Sequence, residues 1–222
     1  MSDGLTYTQY IEQMRLLAGT TPIDPWFASI VPMMIAYAEK RIYRDLNLLS
    51  TVTTDDSGAL TTNNRLFALP SGDYWVTVQQ INVITPAGSA ASAGTRNPLL
   101  PTSRTWLNYA WPSATGAALP THFAMEDQAS IIVGPWPDAA YRVEVVGTIR
   151  PAPLSNSNQT TQLSLHFPDL FVAASMIYVT GYQRDFGAQA DDPKSSQSWE
   201  AQYNALLGPA LAEEARKKAN AA

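Results

Sequence analysis

The amino-acid sequence predicts an α+β protein: a discontinuous helical domain made by the two ends of the chain, with an antiparallel β-sandwich or barrel-like domain inserted between them. Three observations predict it. Apolar residues recur at helical spacing near the N-terminus, and they do so again after about residue 165. Between these stretches the helical period disappears and Thr, Val, Pro and Gly dominate. The expected division is 1–49 with 165–222 for the helical domain and 50–164 for the inserted one.

The first helix opens with a capping box, Thr6 at the N-cap and Gln9 at the third helical position, with Leu5 and Tyr10 placed for a hydrophobic staple. Tyr10, Ile11, Met14 and Leu17 follow at helical spacing, and Gly19 supplies a stop. Asp24-Pro25 is a second start signal. Pro32 should break this segment, leaving a short turn near Pro25–Ala28 and a main helix from about Val31. Ile35, Ala38, Ile42 and Leu46 mark its apolar stripe, and Glu39, Lys40, Arg41, Arg44 and Asp45 are read as solvated or paired charges on the other faces.

From about Ser50, Asp55–Gly58 and Pro70–Asp73 read as turns, with strands at Leu60–Ala68 and Tyr74–Ile84. The alternation slips between Val78 and Ile81, which predicts a bulge. Residues 86–98 lack any period and read as a mobile loop, and Ser103–Ala110 as a short helical turn around Trp106. Thr121–Met125 and Ser130–Val133 flank Glu126-Asp127-Gln128 as a hairpin, Gly134–Asp138 turns again, and Tyr141–Ile149 is a strand. The expected topology is an antiparallel meander.

Pro168-Asp169 then opens a helix with almost no polar face from Leu170 to Val179. Such a helix must be covered on all sides, by the chain's own helices or by a neighbouring subunit. The last helical segment starts near Ser195-Ser196, carries Trp199, Tyr203 and Leu206 on one face, and is kinked or split at Gly208-Pro209. Beyond it, Glu213 to Lys217 and Glu214 to Lys218 form i, i+4 pairs on a solvent-facing helix whose end should fray.

Composition removes many functions. Of 222 residues, 45% are hydrophobic and 15% charged, enough apolar mass for a sizeable core. A net charge of −5 argues against a basic clamp on nucleic acid, which would hold phosphates with clustered Lys and Arg. With no cysteine there are no disulfides, thiolate zinc sites or Cys nucleophiles. The start, Met1-Ser2-Asp3-Gly4, does not resemble a signal peptide, and the apolar run from Leu170 to about Tyr182 is too short to span a bilayer, so the chain is expected to work in a reducing cytosol or to be assembled there.

Catalytic constellations are equally scarce. Neither Gly-x-Ser-x-Gly, Gly-x-Gly-x-x-Gly nor a P-loop occurs. His122 and Glu126 lie four apart without a third ligand nearby, and His166 lacks a base or orienting partner. Asp55-Asp56 is explained by its turn, and Asp191-Asp192 by N-capping of the last helix. Trp106, Trp111 and Trp136, in Pro-rich loops, either cover the ends of the β core or form a sugar-stacking platform. No enzymatic activity, cofactor or metal is expected.

The order of the segments resembles one family. Ile35–Leu46 is similar to the "A-E-x-R-I-x-R-x-L" helix of tailed-bacteriophage head–tail adaptors, the head-completion or tail tubular A-like connector proteins. Pro120–Glu126, Ile132–Tyr141, Arg150–Ser155, Phe167–Leu170 and Trp199–Leu207 then match in order, so the resemblance covers nearly the whole chain.

The resemblance implies a structural virion protein at the head–tail junction. It implies a homo-oligomeric ring of twelve copies beneath the portal protein, bound to a tail or nozzle protein, with DNA in passing, non-specific contact and no membrane. Assembly would take place in the bacterial host cytoplasm. Helical core or inter-subunit packing then falls to Ala38, Ile42, Leu46, Leu170, Ala174, Ile177, Trp199 and Tyr203. Portal docking falls to the segment bearing Glu213, Glu214, Arg216, Lys217 and Lys218, and channel or partner charge to Lys40, Arg41 and Arg44. The alternative is a glycan-binding virion or surface module using the Trp-bearing loops.

Overall fold

The computed structural model describes residues 4–21, 24–70, 75–182 and 193–221. Among them the chain is α+β, with six α-helices and two four-stranded sheets. It divides into two compact units, Met1–Ser50 together with Pro151–Ala222, and Thr51–Arg150. Residues 151–164, grouped above with the strands, belong to the first unit because Leu154 and Leu163 are buried in its core.

In the first unit, α1 (Tyr7–Leu17) begins with the expected reciprocal cap, Gln9 N–H donating to Thr6 Oγ1 at 3.3 Å and Thr6 N–H to Gln9 Oε1 at 2.9 Å. Gly19, with φ of +67°, follows its C-terminal end. α2 (Pro25–Asp45) starts on an Asp24 cap as expected, but it runs unbroken through Pro32. Proline removes one N–H and costs about 3 kcal/mol inside a helix. Burial of Phe27 and Ile30 before it and of Met34 and Ile35 after it outweighs that, at about 2 kcal/mol per side chain.

α4 (Gln162–His166) is capped by Thr161, and α5 (Pro168–Tyr182) follows directly. α5 packs against α1, α2, α4 and α6 (Pro193–Ala221), so the chain's own helices bury Leu170, Phe171, Ala173, Ala174, Met176 and Val179. Tyr10 stacks on Phe171 with ring centroids 4.6 Å apart. α6 is one helix through Gly208 and Pro209 rather than a split pair. The expected N-cap at Asp191-Asp192 lies outside the described residues.

The second unit holds β1 (Val52–Ala59), β2 (Leu66–Ala68), β3 (Trp75–Thr85), β4 (Thr95–Pro98), β5 (Leu100–Pro101), α3 (Arg104–Ala110), β6 (His122–Met125), β7 (Ser130–Gly134) and β8 (Arg142–Ile149). The sheet orders are β1-β8-β3-β4 and β2-β7-β6-β5. This is neither a closed barrel nor a plain meander, and β5 pairs with β6 in parallel. Buried Ile81, Val83, Val143 and Val145 of the first sheet and Phe67, Phe123, Ile131 and Val133 of the second belong to one apolar cluster.

Several expectations change here. Asp55–Gly58 is not a turn but a bulge within β1, where the Asp55 carboxylate accepts the Ser57 N–H at 2.8 Å. The strand expected at Leu60–Ala68 shrinks to Leu66–Ala68, because Thr61–Asn64 makes a tight turn with Asn63 at a φ of 59°. The predicted slip in β3 occurs between Val78 and Gln80. Of the Pro70–Asp73 turn, only Pro70 lies within the described residues.

The supposed loop 86–98 contains β4, paired antiparallel to β3. Asn97 Nδ2 secures it by donating to Val83 O at 3.1 Å and Thr85 Oγ1 at 2.9 Å.

Candidate functional site

In the helical unit, the side chains singled out from sequence separate into buried and exposed groups. Ala38, Ile42, Leu46, Leu170, Ala174 and Tyr203 are buried within the chain, and Ile177 and Trp199 are half-buried against the same cluster. Arg41 is tied to the chain itself. Its guanidinium forks onto Glu200, lies 4.3 Å over the Tyr203 ring and stands 3.8 Å from Asp45, which also accepts the Tyr203 hydroxyl at 2.8 Å. The Arg41 guanidinium bonded to it holds the Glu200 carboxyl below its ordinary range. Lys40 and Arg44 on the same helix are exposed.

The last turns of α6 are less solvent-facing than the charge pattern suggests. Glu214 is 6% exposed and pairs with Lys217 at 2.8 Å instead of with Lys218. Its other oxygen accepts the Leu49 N–H at 3.0 Å. Burial alone would raise this carboxyl, but the Lys217 ammonium and the Leu49 amide outweigh it and hold it low. Lys217 also pairs with Glu213 at 2.7 Å, as expected, and stands 5.1 Å over the Phe167 ring. A cleft of about 370 Å³ opens here, lined by Leu49, Ser50, Gln162, His166, Phe167, Glu213, Glu214 and Lys217. Arg216 points outward.

Glu39, read above as a surface charge, is 5% exposed and accepts the Leu154 N–H at 2.9 Å. Burial pushes its carboxyl up to about 7, with the amide bond drawing it part of the way back. A signal for both buried glutamates was present. Glu39 lies between Ile35 and Ile42 on the apolar stripe, and Glu214 follows Tyr203 and Ala210 at helical spacing.

In the β unit the tryptophans do not make an open platform. Trp111 covers Gly134, whose Cβ would fall 2.5 Å from its ring, and its carbonyl accepts the Trp136 indole N–H at 3.1 Å. Of the three, only Trp106 is exposed, in edge contact with Trp111 at 5.2 Å and 4.9 Å from the His122 ring. Glu126 pairs with Arg104 at 2.9 Å, not with His122. Tyr109, not singled out from sequence, is 87% exposed, more than any other large apolar side chain among the described residues.

Among the described residues, no group of three or more His, Cys, Asp or Glu could hold a metal, and no helix is long and apolar enough to cross a membrane. No curated protein matches the chain. The family model described as SU10 adaptor protein matches residues 5–222.

Proposed function

The chain belongs to the SU10 adaptor protein family, structural proteins of bacteriophages, and from that premise we propose that twelve copies form a ring beneath the portal at the head–tail junction. The ring joins the portal to the tail or nozzle protein and forms part of the channel through which DNA passes. The observation that carries this reading is the extent of the family match, residues 5–222, which takes in the helical ends and the strands between them.

Portal docking falls to the last turns of α6, with Arg216 and Lys218 as its charges, and lateral packing to the helical unit. The inserted strands are a sandwich-like platform for the tail side. The net charge of −5 supports a conduit, since tight phosphate binding would obstruct transit. Lys40 and Arg44 supply weak, passing contacts at most.

Imaging of adaptor co-assembled with portal from the same phage tests the ring: twelve adaptor copies are expected, and adaptor bound only as isolated monomers overturns it. For docking, the double variant Arg216→Glu, Lys218→Glu should lose portal co-sedimentation while melting as the parent does. Undiminished binding would remove this segment from the interface.

A further inference from the structure

The chain crosses between its two units twice, beside Ser50 and beside Pro151. At each crossing a peptide N–H is bonded to a carboxylate instead of to a backbone carbonyl. On the way out Leu49 donates to Glu214 Oε2 at 3.0 Å, and on the way back Leu154 donates to Glu39 Oε1 at 2.9 Å. The glutamates come from different helices, α6 and α2, and both are buried.

Burying a carboxylate is costly unless donors meet it, and an apolar side chain at either position would pack the core without that cost. What a carboxylate adds is reach: it captures an amide that leaves the regular hydrogen-bond ladder where the chain exits the core.

The two sites differ in what else holds the carboxylate. Glu214 is shared with Lys217, whose ammonium also binds Glu213 in the lining of the cleft. Glu39 forms no ion pair among the described residues, and what meets it is the Leu154 amide.

We propose that Glu39 and Glu214 are positioning clamps on the two crossings, and that the clamp on the outgoing crossing is adjustable: a partner carboxylate that draws Lys217 away loosens Leu49 and leaves Leu154 untouched. The identity of that partner as the portal rests on the docking assigned above to the end of α6. The clamps themselves do not.

Amide hydrogen exchange on the free full-length protein tests them. Glu214→Leu and Lys217→Met should speed exchange at Leu49 roughly tenfold, the usual scale for losing one such bond, with Leu154 unchanged. Glu39→Leu should do the reverse. Glu214→Gln and Glu39→Gln, which keep an acceptor oxygen, should restore near-parental rates at the respective amides. Equal acceleration at both amides in any one variant, or none at Leu49 in Glu214→Leu, overturns the proposal. Added portal that binds without changing exchange at Leu49 overturns the adjustable part, whereas portal that does not bind counts against the docking reading.

Discussion

Arg41 on α2 grips Glu200 on α6 with both ends of its guanidinium, Nη1 donating to Oε2 at 2.9 Å and Nη2 to Oε1. The plane also covers the Tyr203 ring at 4.3 Å. A lysine cannot reproduce either the fork or the stacking. Arg41→Lys should therefore cost about 1–2 kcal/mol in thermal or urea unfolding. Glu200→Gln should cost less than about 1 kcal/mol, since that carboxylate is 41% exposed and screened by solvent. Equal costs for the two would mean that the fork, and not the stacking, carries the contact.

Tyr10 and Ser175 form a buried hydroxyl pair at 2.5 Å, and the serine hydroxyl donates its hydrogen bond to Phe171 O at 2.7 Å. Tyr10→Phe removes a donor and leaves Ser175 still bonded, so it should cost about 1 kcal/mol. Ser175→Ala strands the phenol in a dry core and should cost about 2–3 kcal/mol. In the double variant the stranded group is gone, so the loss should fall short of the sum of the singles. A double-mutant cycle by urea titration checks the order, and strict additivity would rule out the bond as the coupling.

Much of the layout was legible because it rests on local rules. The Thr6 cap, the slip in β3, the hairpin of β6 and β7, and the all-round apolar helix beginning at Leu170 are each specified by a few neighbouring residues. The misreadings share a different cause, namely tertiary contacts that override a local preference. Pro32 breaks helices in isolation, but the apolar side chains on both sides of it are buried on one face. Asp55–Gly58 has turn composition, yet pairing with β8 draws it into a strand. Glu39 and Glu214 looked like surface charges because their acceptor role depends on Leu154 and Leu49, both distant in sequence. Arg41 looked available until Glu200, more than a hundred and fifty residues on, took it up.

Glycines offer a sharp contrast within one chain. A Cβ on Gly147, in central strand β8, would stand 2.2 Å from the Thr77 carbonyl oxygen, a backbone atom that cannot step aside. Gly147→Ala should cost about 3 kcal/mol or more. Gly134→Ala meets side chains instead, Trp111 and Leu107, which can yield, so its cost should be smaller, about 1–3 kcal/mol. Gly208→Ala meets nothing within 4 Å inside α6 and should stabilise the free chain by about 0.5–1 kcal/mol. Calorimetry of the three variants checks the ranking.

Glu39 should give the free protein an unusual pH response. Its carboxyl is pushed by burial from an ordinary 4.5 up to about 7, so the folded chain binds a proton over that interval which the unfolded chain has already released. The stabilising contribution is therefore complete below about pH 4.5 and is lost as pH rises through 7. At 1.36 kcal/mol per pH unit the full loss is about 3 kcal/mol, an upper figure because the ionised form strengthens the Leu154 bond. The carboxylates held low by their partners, Glu144, Glu200 and Glu214, act in the opposite sense and at lower pH, so they do not mask it. Unfolding by urea at about pH 5 and about pH 8 should show the parent less stable at the higher pH. Glu39→Gln keeps the acceptor for Leu154 but cannot ionise, so it should flatten that difference and be the more stable of the two proteins at the higher pH. Parallel stability curves for the two proteins would place Glu39 in contact with water and remove its proton from the account of folding.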